Sequence, residues 1–184
     1  MRLLYGSDYA RKYQAVADEI PAGSLVIDLC CGDCAIAPLL EEKGCKYIGL
    51  DINERFVQWA KKRGLDVRNW NAGQMDIPEG DVICMQSSLY QFMPNANLII
   101  ERMLKSARKA VIISEPIDNM TTSPSSLLRK LALQLTKVNG QIFPTRFTEA
   151  TMKDLFKNYP ARSIKTVPQG RECVWVISKE KHGA

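Results

Sequence analysis

The sequence predicts an α/β fold: a doubly wound, mostly parallel sheet with helices on both faces and an antiparallel strand pair at the C-terminus. Two observations carry this. Strand-like and helix-like segments alternate from residue 25 to residue 116, the pattern of parallel strands joined by right-handed crossovers. Only Gln169-Gly170-Arg171-Glu172 then separates the last two strand-like runs. That is too short for a parallel crossover, so those two run antiparallel.

LVIDLC, residues 25–30, is a continuous apolar run, as expected of a strand covered on both faces. Residues 33–43 read as a helix that stops before Gly44. KYIGLDI, 46–52, is a second strand, after which Asn53 caps a helix to about Arg63, with Gly64 as its stop. DVRNWN, 66–71, and DVICMQSS, 81–88, are the third and fourth strands. Asn95 starts a helix to about Arg108 that carries Leu98, Ile99, Met103 and Leu104, and KAVIISEP, 109–116, is a fifth strand ended by Pro116. The pattern then changes. Residues 117–147 hold a loop, the N-cap and N1 pair Ser123-Pro124, and the amphipathic basic helix LLRKLALQLTKV. Its expected place is a cap with its apolar face on the core; contact with an RNA, a membrane surface or a second subunit is the alternative. Thr148 caps a further helix to about Tyr159, followed by strands at 162–168 and 173–180.

The 184 residues suffice for one domain with a substantial core. No apolar run reaches the ~18 residues that span a bilayer, and MRLLYGSDYARKY lacks the apolar stretch of a secretory signal. Six cysteines without such a signal point to reduced thiols in the cytoplasm rather than a disulfide framework. The net charge of +5 permits an anionic substrate and is too small to argue for nucleic acid. Lys61-Lys62-Arg63, the densest basic run, reads as a solvated helix end. The single histidine, His182, is the third residue from the end of the sequence. Chemistry that needs a histidine base would depend on that tail.

The cluster VIDLCCGDC, 26–34, poses the main question. Three cysteines within five residues, Cys30, Cys31 and Cys34, invite a metal reading. Zinc is normally held by paired groups from two places, and Cys45, Cys84 and Cys173 are isolated, so no second pair exists and no metal is expected. Cys31 to Cys34 reads C-x-x-C, a redox spacing; the plainer reading is small apolar side chains filling a tight turn. The alternative is a nucleotide cradle. In an open α/β sheet ligands bind beyond the carboxyl ends of the strands, where strand order reverses. The turn after strand one must let its backbone approach the ligand, and Gly32 is free of a side chain there. Asp51, 19 residues later, ends strand two as a ribose-gripping acid should. A G-x-G-x-x-G fingerprint would need glycines at 30, 32 and 35; only Gly32 is present, and no Walker-type phosphate loop exists. Asp28 and Asp33 beside the turn disfavour a pyrophosphate and suit a ligand carrying an ammonium or sulfonium.

VIDLCCGDC, GLDIN, NAGQMDIP and DVICMQSSLYQF resemble the successive motifs of class I S-adenosylmethionine-dependent methyltransferases, in particular small members of the type 11/25 kind. The resemblance implies a Rossmann-like seven-stranded sheet of order 3-2-1-4-5-7-6 with an antiparallel C-terminal strand. It makes residues 1–184 a single S-adenosylmethionine-binding domain, with residues 1–20 as a lid helix and 117–147 as a substrate cap. The family's acid and alternate glycines fall on Asp28, Cys30, Gly32 and Cys34. Cysteine thus replaces two glycines, although its Cβ disfavours positive φ. Asp51 matches the ribose-binding acid, Ile52 the residue packed on adenine, and Asn71-Ala72 the pair that reads the adenine edge, with Asp76 as a rival to Asn71. Gln86 and Ser87 lie where the family lines the methionine end. The N-terminal helix carries Tyr5, Tyr9 and Tyr13, and Tyr13 is expected to fold over the cofactor; packing on the sheet edge is the alternative.

The implied function is methyl transfer to a small-molecule acceptor, by O- or N-methylation of a metabolite or sugar. Tyr90, Glu115 and Asp118 are the candidate catalytic residues, and Gln91 and Arg146 the candidate substrate contacts. Each has a plainer reading: Tyr90 as core, Glu115 as a carboxylate bonded to backbone, Arg146 as a partner of Glu149. The Asp/Asn-Pro-Pro-Tyr/Phe motif of base-methylating relatives is replaced by Gln86-Ser87-Ser88-Leu89, which disfavours nucleic acid. A monomer or homodimer is expected. Two other classes stay open: a non-catalytic methyltransferase fold that binds cofactor or a partner, and a nicotinamide-dependent oxidoreductase.

Overall fold

The computed structural model describes residues 8–117, 143, 145–166 and 172–179. Asp118, the Ser123-Pro124 pair, the helix at 127–138, Tyr5, the turn at 169–171 and His182 lie outside the described residues, as does the side chain of Tyr9. In chain order the elements are α1 (Asp8–Asp18), β1 (Leu25–Leu29), α2 (Ala37–Glu42), β2 (Lys46–Asp51), α3 (Glu54–Lys61) and β3 (Val67–Asn69). They continue with β4 (Gly80–Gln86), a 3-10 turn (Leu89–Phe92), α4 (Ala96–Ser106), β5 (Ala107–Pro116), α5 (Glu149–Phe156), β6 (Ala161–Thr166) and β7 (Glu172–Ser178).

The strands form one sheet in the order β3-β2-β1-β4-β5-β7-β6. The pairs β1–β2, β1–β4, β2–β3 and β4–β5 are parallel, whereas β7 runs antiparallel to both β5 and β6. This is the order that the resemblance implies, and the fold is that of the class I methyltransferases.

Alternation along each strand explains the continuous apolar runs. Ile27, Leu29, Ile83, Met85, Val111, Ile113 and Trp175 share a core with Ile99, Ile100 and Met103 of α4 and Met152 and Phe156 of α5. Val26, Val82, Cys84, Ile112, Val174 and Val176 face the other way, onto Val16, Ala17 and Ile20 on the α1 side and Ile36 and Leu40 on the α2 side. Both faces are dry, so neither can be polar. The Phe156 ring stacks on Trp175 at 4.7 Å between centroids, fixing α5 against β7.

The local signals work as the residue chemistry suggests. Asn53 accepts a hydrogen bond from the Arg55 N–H at the start of α3, and Thr148 closes a reciprocal capping box with Thr151 on α5. Gly44 and Gly64 stop their helices with φ of 67° and 78°. Asn95 occupies its N-cap position without a side-chain bond. The first crossover helix differs from expectation: it starts at Ala37, not at residue 33. The reason is the turn before it, where left-handed residues and Pro38 near the helix start delay the first helical hydrogen bonds.

Candidate functional site

The order of strands reverses at β1, which has β2 on one side and β4 on the other. A crevice therefore opens beyond its carboxyl end, and the turn at residues 30–34 forms its floor. Every second residue of that turn is left-handed: Cys30 at φ 56°, Gly32 at 52° and Cys34 at 53°. These are the three positions at which the resemblance calls for glycine. The backbone keeps the glycine path although two of the residues carry a Cβ, at a cost of about 1–2 kcal/mol each. Burial offsets part of this, because Cys34 packs with Ala37, Val57, Ala60 and Val67. A Cβ placed on Gly32 would meet nothing within 4 Å, so the space above this residue is open.

Asp51 clasps the turn. Its Oδ2 accepts the Gly32 N–H at 2.8 Å and its Oδ1 accepts the Asn53 N–H at 2.7 Å. The carboxylate is buried, which raises its pKa, and the two backbone N–H groups oppose that rise. A carboxylate offers about four acceptor positions; two are used here, and two remain for hydroxyl groups. Ile52 next to it stays 45% exposed, an apolar surface beside a buried acid. Asn71 sits one residue beyond Trp70, whose N–H is held by the Asp51 carbonyl at 2.9 Å. Its Oδ1 accepts the Gly73 N–H at 2.9 Å, and Asn71 and Ala72 are half-buried, while Asp76 is exposed. Arg102 braces this loop by donating to the Ala72 and Met75 carbonyls.

Asp28 lies beneath the turn. It accepts the Tyr47 hydroxyl at 2.9 Å and the Cys84 thiol at 3.5 Å, and the Gln86 side chain also bonds to it. Burial raises its pKa to about 7 against those bonds. Burial likewise pushes up the Cys30 thiol, which sits among Asp51, Asp28 and Glu115.

The second group gathers beyond β4 and β5. Ser87 follows β4 with φ 51°, another strained position of the kind found where a backbone must face a ligand. Tyr90, in the 3-10 turn, has the Arg146 guanidinium 3.8 Å above its ring and Phe143 edge-on at 6.1 Å. Gln91 bonds to the Tyr90 side chain, and burial raises the phenol pKa against the pull of Arg146. Arg146 also donates to the Phe143 and Thr145 carbonyls, while Glu149 pairs with Lys153 at 2.9 Å. Glu115 is buried and accepts the Leu89 N–H, which holds the turn bearing Tyr90. Burial raises its pKa to about 8. Tyr90, Gln91, Glu115 and Arg146 thus converge, with Cys30 at their edge.

Two residues at this end escaped the sequence reading. Lys12 of α1 is 3% exposed and donates to the Ser87 Oγ at 3.2 Å. Glu172, at the start of β7, accepts the Ser114 and Ser87 hydroxyls at 2.8 and 3.3 Å. Burial lowers the Lys12 pKa, opposed by Glu172, Glu115 and Asp33. A signal for Lys12 exists: it sits one and two turns before Val16 and Ile20, on the apolar stripe of α1, where a lysine needs a polar reason. Glu172 carries no such mark, because its partners are 58 and 85 residues away.

A groove of about 630 Å³ lies beside the turn, lined among others by Tyr13, Asp33, Cys34, Trp59 and Arg63. It reaches the turn at Asp33 and Cys34 but does not include Gly32, Asp51 or Asn71. Of the predicted cofactor residues only Tyr13 lines this groove, which the turn reaches at Asp33 and Cys34; the others lie at the ends of β1, β2 and β4 and in the loop after β3.

The family model described as Methionine biosynthesis protein MetW matches residues 10–121. Among curated proteins no match is found. Solved structures of the same fold include a SAM-dependent methyltransferase, possible histamine N-methyltransferase, from Thermotoga maritima, 18% identical, with a TM-score of 0.68 over 97% of this chain and 93% of that one. Magnesium protoporphyrin IX methyltransferase from Synechocystis PCC 6803 with bound SAH is 16% identical, with a TM-score of 0.68 over 94% of this chain and 84% of that one. Human N-acetylserotonin methyltransferase in complex with SAM is 18% identical, with a TM-score of 0.67 over 92% of this chain and 52% of that one. At these identities the likeness is one of fold. No helix among the described residues is long and apolar enough to cross a membrane.

Proposed function

The chain belongs to the MetW family of methionine biosynthesis proteins, and we propose that it is an S-adenosylmethionine-dependent methyltransferase acting on a small-molecule acceptor. One observation carries this reading: a turn left-handed at residues 30, 32 and 34, open above Gly32 and clasped to a buried Asp51. The residues fit the cofactor. Asp51 has acceptor capacity left for both ribose hydroxyls, Ile52 offers an apolar face to adenine, and Asn71-Ala72 border its edge. Cys30 and Gly32 line the methionine arm with Gln86 and Ser87, above Asp28, and α1 roofs the crevice with Tyr13. When bound, the sulfonium supplies an already activated methyl group. The chain's task is then to hold an acceptor in line and to exclude water. Tyr90, Gln91 and Arg146 form the wall on that side. Asp118 as a catalytic residue and the 117–147 segment as a substrate cap belong to this proposal from the sequence, most of that segment lying outside the described residues. Glu115, bonded to backbone, positions the turn that carries Tyr90. The proposed setting is cytoplasmic, as one domain.

A non-catalytic reading is favoured by the Cβ atoms at Cys30 and Cys34, which narrow a cradle that glycine would leave wider. Two assays separate the readings. Thermal shift with S-adenosylhomocysteine, against NADH as control, should stabilise the chain with the first ligand alone. Incubation with methyl-tritiated S-adenosylmethionine and a fractionated small-metabolite extract should move tritium into one fraction. Stabilisation without transfer in any fraction would leave a binding module; stabilisation by NADH would overturn the cofactor assignment.

A further inference from the structure

The motif C-x-x-C at 31–34 has no task in the scheme above. We propose that Cys31 and Cys34 are a reversible dithiol–disulfide pair, and that its oxidation reshapes the cofactor turn. The chemistry of the pair stands on its own; its effect on ligand binding rests on the methyltransferase reading.

Geometry supports the bridge. The Cys34 N–H bonds to the Cys31 carbonyl at 2.9 Å, and a turn closed this way keeps its end Cα atoms within about 7 Å. Disulfides span about 4.4–6.8 Å between Cα atoms. The two Sγ atoms already face each other at 3.7 Å and must close to about 2.05 Å, which pulls the two ends of the turn together. The neighbouring thiols point elsewhere: Cys84 to Asp28 at 3.5 Å and Cys45 to the Pro21 carbonyl at 3.5 Å. Cys30, although adjacent in sequence, bonds to Ser88.

The pair is also asymmetric. Its mutual hydrogen bond favours the thiolate on Cys34, lowering that pKa, and holds Cys31 protonated. Cys34 forms part of the wall of the 630 Å³ groove although only 2% exposed, and Cys31, 9% exposed, packs against β2. Cys34 is thus the attacking sulfur and Cys31 the resolving one. A peroxide small enough to reach Cys34 suffices as oxidant. The Cys34 thiolate attacks one peroxide oxygen, the O–O bond breaks, and hydroxide leaves, giving a sulfenic acid. The Cys31 sulfur then attacks the Cys34 sulfur. The S–O bond breaks, and the leaving hydroxide takes the Cys31 proton as water. Two electrons have passed from the two sulfurs to the peroxide.

The bridge would be felt at Asp51. The Cys31 Sγ occupies the space left by the absent side chain of Gly49 on β2. Closure draws Cys31 and Cys34 together. Between the two cysteines lies Gly32, whose N–H binds Asp51, so tightening the turn moves the floor of the crevice.

The test uses the full chain, reduced and then treated with hydrogen peroxide at neutral pH. Free thiols are alkylated with light N-ethylmaleimide, and oxidised ones with heavy reagent after reduction. The tryptic segment 13–43 should carry heavy label on Cys31 and Cys34 and light label on Cys30, and dithiothreitol before alkylation should erase the heavy label. Cys31→Ser should stop at a Cys34 sulfenic acid trapped by dimedone. Heavy label on another pair, irreversible oxidation, or two thiols untouched by peroxide would overturn the pair. S-adenosylhomocysteine should bind the oxidised chain at least fivefold more weakly than the reduced one. Equal affinity across a verified bridge would overturn the coupling. Binding to neither form would overturn the methyltransferase reading and with it the coupling, while the labelling still decides the pair.

Discussion

Replacing Asp51 with asparagine separates the two roles the structure gives this side chain. Its carboxylate holds the Gly32 and Asn53 N–H groups at 2.8 and 2.7 Å and is only 7% exposed. A hydrogen bond to a charged group contributes about 1.5–3 kcal/mol, and a buried donor left unpaired costs about 1–3 kcal/mol. Asparagine keeps one acceptor oxygen and turns an NH2 toward the other donor. One clasp bond becomes neutral and one is lost, so the expected loss of stability is about 2–4 kcal/mol. For a chain of this size that lowers Tm by about 4–16 °C. The same change removes acceptor capacity for the ribose and should weaken S-adenosylhomocysteine binding by a further ~1–3 kcal/mol, roughly 5- to 150-fold. Thermal unfolding and calorimetric titration well below the variant's Tm measure the two effects separately. An unchanged Tm would refute the clasp. An unchanged affinity in a folded variant would remove Asp51 from the ligand site.

The other expectations are independent of that one. Gly32→Ala meets no protein atom within 4 Å, so its stability cost should stay near the ~1–2 kcal/mol of left-handed strain, while ligand affinity drops at least about tenfold; a variant that binds normally would place the ligand elsewhere. Asp28 titrates near about 7, above the ~3.9 of an unfolded aspartate. The native chain therefore binds more protons in that window, and this contribution to stability, on the order of 2–4 kcal/mol, is full below about pH 4 and lost as pH rises through 7. The urea midpoint should fall from pH 5 to pH 8, less steeply in Asp28→Asn; identical slopes would show that Asp28 is not the titrating group. Phe156→Ala should cost about 3–5 kcal/mol through the cavity beside Trp175 and leave ligand affinity unchanged, since its ring stacks on β7, separated from β1 by β4 and β5 in the sheet; a loss of affinity in a folded variant would contradict that separation.

The sheet was legible because burial on both faces writes itself into sequence as the apolar runs at 25–30 and 109–116, and because a four-residue link permits only a hairpin. The caps at Asn53 and Thr148 were legible for the same local reason: one side chain serves donors two or three residues away. The turn was half legible. Gly32 and Asp51 could be paired by spacing, but cysteine at 30 and 34 gave no sign that the backbone keeps the left-handed path there. Burial of Cys34 among α2 and α3 residues, a tertiary fact, helps to hold that path. For the same reason the start of α2 was placed four residues too early. The Lys12–Ser87–Glu172 network was not legible, because its members are 75 and 85 residues apart and meet only when α1 and β7 dock on the end of β4. Glu115 carried a local ambiguity, and its bond to the Leu89 N–H matches the plainer of its two readings.

The most direct test of the central claim is calorimetric titration of the reduced chain with S-adenosylhomocysteine, with NADH as control. One site per chain with micromolar affinity is expected for the first ligand, and no heat from the second. Absence of heat with S-adenosylhomocysteine would contradict it: the cysteines at 30 and 34 would then have closed the cradle, leaving the fold as a scaffold.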